Sequence, residues 1–380
     1  MGMNNDHMKK VGTLTFHIAH NYGAMLQAYA LPKAVESLGY KCEIIHYCFS
    51  HIYRWGHIQY LPELCKKHGI VGGSLRFAKK LIKGVYNPNG KQQRFERFIY
   101  ETMQLSESAY YSAQELNGMD YDAILFGSDQ IWNSQITGGI AKEFAGGFDC
   151  LEKTKKIAYA ASCGRNTFNE EEKEQYYPQI KSFHALGIRE QGFCQSLCDD
   201  GFPARQVLDP TLLLTKEQWL SMTQSGRKKT VLPKKDYLLI YVFEEDPSVY
   251  KLVDKVAEKY GLEVCCIAYQ MKDEIKKYRV FQNCGPKEFV ELIAGASRVV
   301  TTSFHGTVFS ILFEKEFYCV PHPTLHERTD SLLELLDLGD RNCSPDTKID
   351  EMSEVNWENV KNKLDVLRTE SLQFIKESIE

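Results

Sequence analysis

No run in this 380-residue chain approaches the roughly eighteen apolar residues that a membrane-spanning helix needs. The first ten residues hold no apolar core of the kind that opens a secretory signal, so the expected location is the cytoplasm. Excess positive charge is missing too. A formal net charge of −4 leaves no basic field to wrap nucleic acid, and none is expected as a partner. His-Glu-x-x-His, Gly-x-Ser-x-Gly, the Walker phosphate loop and Gly-x-Gly-x-x-Gly are all absent. That removes the usual support for a metalloprotease, a serine hydrolase, a P-loop NTPase and a standard dinucleotide enzyme. Nor is there a Cys-x-x-Cys pair; Cys194 and Cys198 come closest, with no histidine cluster beside them, so no metal site is expected. The twelve cysteines are scattered, many through apolar segments, and read mostly as reduced core thiols.

What is present is an alternation of short apolar strands with longer helical patterns, the mark of parallel α/β units. Strands are predicted over Val11–Ile18, Cys42–Tyr47, Asp122–Gly127, Lys156–Ser162 and Ala185–Arg189, and Gln206–Asp209 leads into an Asp-Pro-Thr loop. Tyr22–Leu38 reads as the first helix, with Pro32 placed to kink it. A linker is predicted over Ser221–Asp236, where Gly226, Pro233 and a basic run interrupt the pattern. A second series follows, with strands over Tyr237–Phe243, Leu262–Ala268, Arg298–Thr302 and Phe317–Val320 and helices over Pro247–Tyr260, Pro286–Ala296 and Ser303–Phe313. The expectation is two doubly wound Rossmann-like α/β domains facing a cleft: residues 1–225, residues 226–345, and a C-terminal helical segment, 346–380, packing back on the first domain.

Residues 51–118 read as a basic insertion in the first domain. From Lys66 to Arg97 nine cations face a single acid, Glu96, and Ser74–Tyr86 interleaves charges with apolar residues as an amphipathic helix does. Two readings stand: a solvated helix with a buried apolar side, or a peripheral contact at the inner face of a membrane.

Four loops fall at predicted strand ends, where an open α/β sheet binds ligands. Phe16-His17-Ile18-Ala19-His20-Asn21-Tyr22-Gly23 offers a close backbone approach at Gly23, a helix cap or hydroxyl ligand at Asn21, and two histidines. Gly127-Ser128-Asp129-Gln130-Ile131-Trp132-Asn133 carries a carboxylate, two amides, a hydroxyl and an indole, a set suited to sugar hydroxyls or equally to a capped turn with Trp132 packed inward. Arg189 either projects into the cleft to hold an anion or pairs with Glu190 at the surface. Ser303-Phe304-His305-Gly306-Thr307 is either a helix N-cap with a surface histidine behind it or an anion site at a helix N-terminus.

These loops, with Leu26-Gln27-Ala28-Tyr29-Ala30-Leu31, Tyr159-Ala160-Ala161-Ser162 and Leu208-Asp209-Pro210-Thr211-Leu212-Leu213, occur in an order that resembles the polysaccharide pyruvyl transferase family. The resemblance implies a fold similar to the glycosyltransferase B type, with the first domain on the acceptor side and the second on the donor side. It implies transfer of pyruvate from phosphoenolpyruvate, a co-substrate rather than a cofactor, onto hydroxyls of a glycan or lipid-linked sugar as a ketal. By the same resemblance Arg189 and His305 are catalytic, and Arg189, Ser303, His305, Gly306 and Thr307 bind the donor. His17, Asn21, Gly23, Ser128, Asp129, Gln130 and Trp132 fall to the acceptor. One position departs: many members carry an arginine where this chain has Ser303, and Arg279, Arg298 and Arg328 are the cations placed to compensate. Two other readings remain at this point, a nucleotide-sugar glycosyltransferase of the same architecture and a non-catalytic glycan-pathway binding protein.

Overall fold

A computed structural model describes residues 8–53, 69–72, 74–75, 90–224, 232–242, 248–268, 272–321 and 327–380. Seven strands form the first sheet: β1 (Lys10–Leu14), β2 (Lys41–Tyr47), β3 (Leu105–Tyr110), β4 (Ala123–Phe126), β5 (Lys155–Ala161), β6 (Ala185–Ile188) and β7 (Ala204–Gln206). Their order is β3-β2-β1-β4-β5-β6-β7, and every pairing is parallel. The second sheet holds β8 (Tyr237–Tyr241), β9 (Glu263–Ile267), β10 (Arg279–Phe281), β11 (Arg298–Thr301) and β12 (Glu316–Cys319), ordered β10-β9-β8-β11-β12 and again all parallel. Strand order therefore reverses between β1 and β4 in one domain and between β8 and β11 in the other. The crevice beyond the carboxyl ends of those four strands is where such sheets bind ligands.

Two expectations about the sheets need correction. The edge strands β3, β7 and β10 were not anticipated, so Asp122–Gly127 supplies the fourth strand rather than the third. Part of the supposed insertion is sheet: residues 91–110 provide helix α2 (Lys91–Thr102) and β3. Most of the predicted amphipathic helix, 76–86, lies outside the described residues. Of the predicted linker, 221–224 continue a helix and 225–231 lie outside the described residues.

Helix α1 (Tyr22–Ser37) follows β1 and sits between the domains. Asn21 caps it, its Oδ1 accepting from the Ala24 N–H at 3.2 Å. The helix runs on through Pro32, and nearly all of it is buried, as a run of Ala, Leu and Met permits. Tyr22 stacks on Phe289 at 4.8 Å and its hydroxyl donates to the Cys284 carbonyl at 2.9 Å, so the first turn of α1 is bound to the second domain. Helices α3 (Glu170–Ile180), α4 (Gln191–Asp199), α5 (Lys216–Gln224), α6 (Val249–Tyr260), α7 (Pro286–Gly295), α8 (Phe304–Leu312) and α9 (Glu327–Leu335) complete the layers. Helix α8 is buried all round. Among the described residues no helix is long and apolar enough to cross a membrane, and the described cysteines are all free.

The last helix, α10 (Trp357–Ile379), lies against the first domain. Phe374 packs on Tyr159 with ring centroids 6.3 Å apart, and Arg368 Nε donates to the Leu212 carbonyl at 2.8 Å. Ser371 is buried, and its Oγ accepts from the Leu208 N–H at 3.0 Å. That bond fastens the residue next to Asp209. Ser371→Ala strands a buried N–H, and urea denaturation should show a loss of about 1–3 kcal/mol; an unchanged midpoint would mean the helix does not anchor this loop.

Candidate functional site

The two switch-point crevices face each other across α1, and the side chains that meet there come from five strand ends. Arg189 and Glu190 follow β6, Ser128 and Asp129 follow β4, and Gly23 opens the helix after β1. Asp209 lies in the loop after β7, and Phe304 and His305 follow β11.

Asp209 joins the two domains. Its side chain is fully enclosed, with Oδ1 accepting from the Thr211 N–H at 3.0 Å and the Thr211 hydroxyl at 2.6 Å. Its Oδ2 accepts from Arg189 Nη1 at 3.0 Å and stands 3.8 Å from His305 Nε2, beyond hydrogen-bond distance. Burial by itself would raise the carboxyl's pKa. The neighbouring His305, Arg189 and Thr211 outweigh it and hold Asp209 well below the usual carboxylate range.

Arg189 is buried with its fork partly engaged. Nε donates to Glu190 Oε1 at 3.0 Å, and that same oxygen accepts from the Ser162 hydroxyl at 2.8 Å. Burial opposes the guanidinium charge, but Glu190, Asp209 and Asp129 raise its pKa above the ordinary arginine value. Arg189 thus pairs with Glu190, but the pair is buried in the crevice rather than at the surface. Its Nη2 is left buried without a hydrogen-bond partner, and so is His305 Nε2.

His305 is enclosed, 6 % exposed, and pressed against the other domain. A Cβ on Gly23 would fall 1.9 Å from His305 Nδ1, so only glycine fits there. Gly306 is equally constrained, since a Cβ would come within 2.2 Å of the Thr301 hydroxyl. Ser303 caps α8, its Oγ accepting from the Gly306 N–H at 3.3 Å. The capping reading holds for Ser303, while the histidine behind it is buried rather than at the surface. Thr307 is buried within the same helix.

Four of the residues assigned to an acceptor are not brought to an open surface. Trp132 is fully buried, its indole N–H donating to the Phe144 carbonyl at 3.0 Å among Phe168, Phe183 and Phe193. His17 is buried against the Thr15 carbonyl and His46, at 3.2 and 2.9 Å. Ser128 is buried, and its Oγ lies 3.1 Å from Gln27 Oε1 and 3.5 Å from Asp209 Oδ2. Gln130 accepts from Asn133 Nδ2 at 2.7 Å beneath the backbone of Gly164. These side chains brace the loop from inside. Of the residues assigned to the acceptor, Asn21 and Asp129 are the partly exposed ones.

Of the three cations named as substitutes at Ser303, two are engaged elsewhere. Arg279 lies over Phe281 and 3.9 Å from Glu263, and Arg298 lies 3.6 Å over the Tyr260 ring. Arg328, at the start of α9, reaches the site: its Cζ is 5.7 Å from the centroid of Phe304, whose ring also carries Arg189 at 5.0 Å. Burial, then the charge of Arg189, lowers the Arg328 pKa to about 10. Sequence reasoning gave no site role to Asp209 or Phe304, although both stand inside motifs it singled out. Among the described residues no cluster of three or more His, Cys, Asp or Glu side chains could hold a metal ion.

Residues 21–323 match the model of a family described as polysaccharide pyruvyl transferase. No curated protein matches the sequence. Among solved structures, the chain is similar to the UDP-GlcNAc 2-epimerase of Methanocaldococcus jannaschii in complex with UDP-GlcNAc and UDP, at 13% identity and a TM-score of 0.43, covering 95% of this chain and 93% of that one. It is also similar to the UDP-N-acetylglucosamine 2-epimerase of Rickettsia bellii, at 11% identity and a TM-score of 0.45, covering 98% and 97%. The E. coli heptosyltransferase WaaC with ADP is a third, at 13% identity and a TM-score of 0.40, covering 94% and 99%.

Proposed function

Since the chain belongs to the polysaccharide pyruvyl transferase family, we propose that it moves pyruvate from phosphoenolpyruvate onto two hydroxyls of one sugar, in a polysaccharide or its precursor, as a cyclic ketal. The observation that supports this reading is a pair of buried nitrogens without hydrogen-bond partners, the Arg189 donor Nη2 and His305 Nε2. Buried polar groups are nearly always satisfied, so two nitrogens left open in one crevice, one of them on a guanidinium, fit an anionic ligand. Phosphoenolpyruvate carries a carboxylate and a phosphate, and Arg189, fixed by Glu190 and Asp209, presents a charged donor that needs no rearrangement to meet one of them.

The chemistry runs in two additions. A proton added to the methylene carbon of phosphoenolpyruvate makes it a methyl group and leaves an oxocarbenium centre next to the carboxylate. One sugar hydroxyl adds there and gives up its proton. The bond from that carbon to the phosphate oxygen then breaks, phosphate departs with the electron pair, and the second hydroxyl adds and loses its proton. Of the two hydroxyl protons, one balances the proton taken up by carbon and the other leaves with phosphate. Developing negative charge on the departing phosphate is where Arg189 and His305 act, because a donor that strengthens as charge develops lowers the barrier.

Phosphate release should require both phosphoenolpyruvate and a lipid-linked or nucleotide-linked sugar, and the product should carry a pyruvate ketal by mass spectrometry. Phosphoenolpyruvate should also raise the melting temperature more than UDP, GDP or CMP does. Release that ignores the acceptor, or stabilisation by a nucleotide alone, would remove this reading in favour of the glycosyltransferase.

A further inference from the structure

Two guanidinium groups share the Phe304 ring, but they are placed in different electrical settings. Arg189 spends Nε and Nη1 on Glu190 and Asp209 and is held at its full charge by them. Arg328 has the ring as its contact, and its Nε is buried with no hydrogen-bond partner among the described residues. Its charge is opposed by Arg189 and felt by Asp129, Glu190 and Asp209 without a bond to any of them. Arg328 is partly exposed, and a cation whose charge is opposed by a neighbouring arginine gains when an anion arrives.

We propose that Arg328 is the specificity-determining cation for the donor's phosphate, held beside Arg189 by the Phe304 ring. This rests on reading the crevice as the phosphoenolpyruvate site. The division of labour is geometric. Arg189 is a rigid, pre-neutralised donor that orients the anion through Nη2. Arg328 is the unneutralised one, so its electrostatic gain on binding falls to the ligand and not to a protein carboxylate. A planar guanidinium within reach of an aromatic ring offers several N–H donors in a fixed fork, which suits a tetrahedral anion better than a lysine would.

The test compares wild type with Arg328→Ala, Arg328→Lys and Arg328→Leu by calorimetric titration with phosphoenolpyruvate, inorganic phosphate and UDP, alongside melting curves. Arg328→Ala should weaken phosphoenolpyruvate and phosphate roughly 10- to 100-fold, the loss of one charge-assisted bond, and Arg328→Lys should recover part of it. Arg328→Leu should melt higher than wild type without ligand and lose the ligand-induced rise, a combination that a merely structural arginine would reverse. If Arg328→Ala binds phosphoenolpyruvate as wild type does, the role of Arg328 is overturned while the donor reading stands. If wild type binds inorganic phosphate or UDP through Arg328 but not phosphoenolpyruvate, the donor reading falls and the role of Arg328 is upheld. Binding of no anion by wild type overturns both.

Discussion

Asp209→Asn is expected to reduce pyruvyl transfer by roughly 10²- to 10³-fold and to lower stability by about 3 kcal/mol. The amide keeps the shape of the side chain and can still accept from Thr211, so the loss isolates the charge. Arg189 Nη1 then faces a neutral oxygen and His305 loses the carboxylate 3.8 Å away. Breaking a buried ion pair typically costs about 3–5 kcal/mol, and the low end applies because Glu190 remains on Nε. The effect on stability has a definite pH signature. Asp209 is depressed in the folded state, so its contribution is fully present above the unfolded carboxyl value of about 3.9 and is lost as pH falls towards the folded value. Urea titrations of the two proteins should therefore run parallel from neutral pH to about pH 5 and converge below about pH 4. A gap that persists unchanged into acid would show that the aspartate works by shape alone.

The fold was largely legible because its central strands are short β-branched or apolar runs buried on both faces, which stand out from the helical pattern around them. The three strands that escaped, β3 with Leu-Ser-Glu-Ser-Ala-Tyr, β7 with Ala-Arg-Gln and β10 with Arg-Val-Phe, are edges with mixed or minimal composition, and pairing with a neighbour rather than sequence makes them strands. The site was legible as a set of loops and less so as a set of contacts. Arg189 and His305 stand directly after strands, where topology alone sends a residue towards the crevice. Asp209 could be seen only as part of an Asp-Pro-Thr turn, because its partners come from β6 and from the other domain. Trp132, Gln130 and Ser128 show the opposite failure. Polar and aromatic side chains that suit a sugar also suit the interior of a tight loop, and only burial separates the two.

Gly23→Ala carries the largest activity loss expected from a single added methyl group, because it tests whether the two domains make one site. The new Cβ would stand 1.9 Å from His305 Nδ1, well inside contact distance, and the ring must move by more than an ångström. Displacement of that order commonly costs about 10²-fold in rate, and a loss of roughly 10²- to 10³-fold is expected here because the displaced ring carries one of the two unpartnered nitrogens proposed to meet the donor. The helix itself should tolerate the change: Gly23 lies in the first turn of α1, and alanine is favoured over glycine in a helix by up to about 1 kcal/mol. A modest fall in melting temperature, the overpacking cost of about 1–3 kcal/mol partly offset by helix propensity, with a far larger loss of transfer is thus the expected pair of results. The decisive comparison is a double-mutant cycle with His305→Ala. With the ring gone, the three atoms nearest the methyl group are removed, so the double variant should be no worse than His305→Ala alone and the two losses should fail to add. Additive losses would mean that Gly23 and His305 act separately, and that the close approach of α1 to α8 serves packing rather than the reaction.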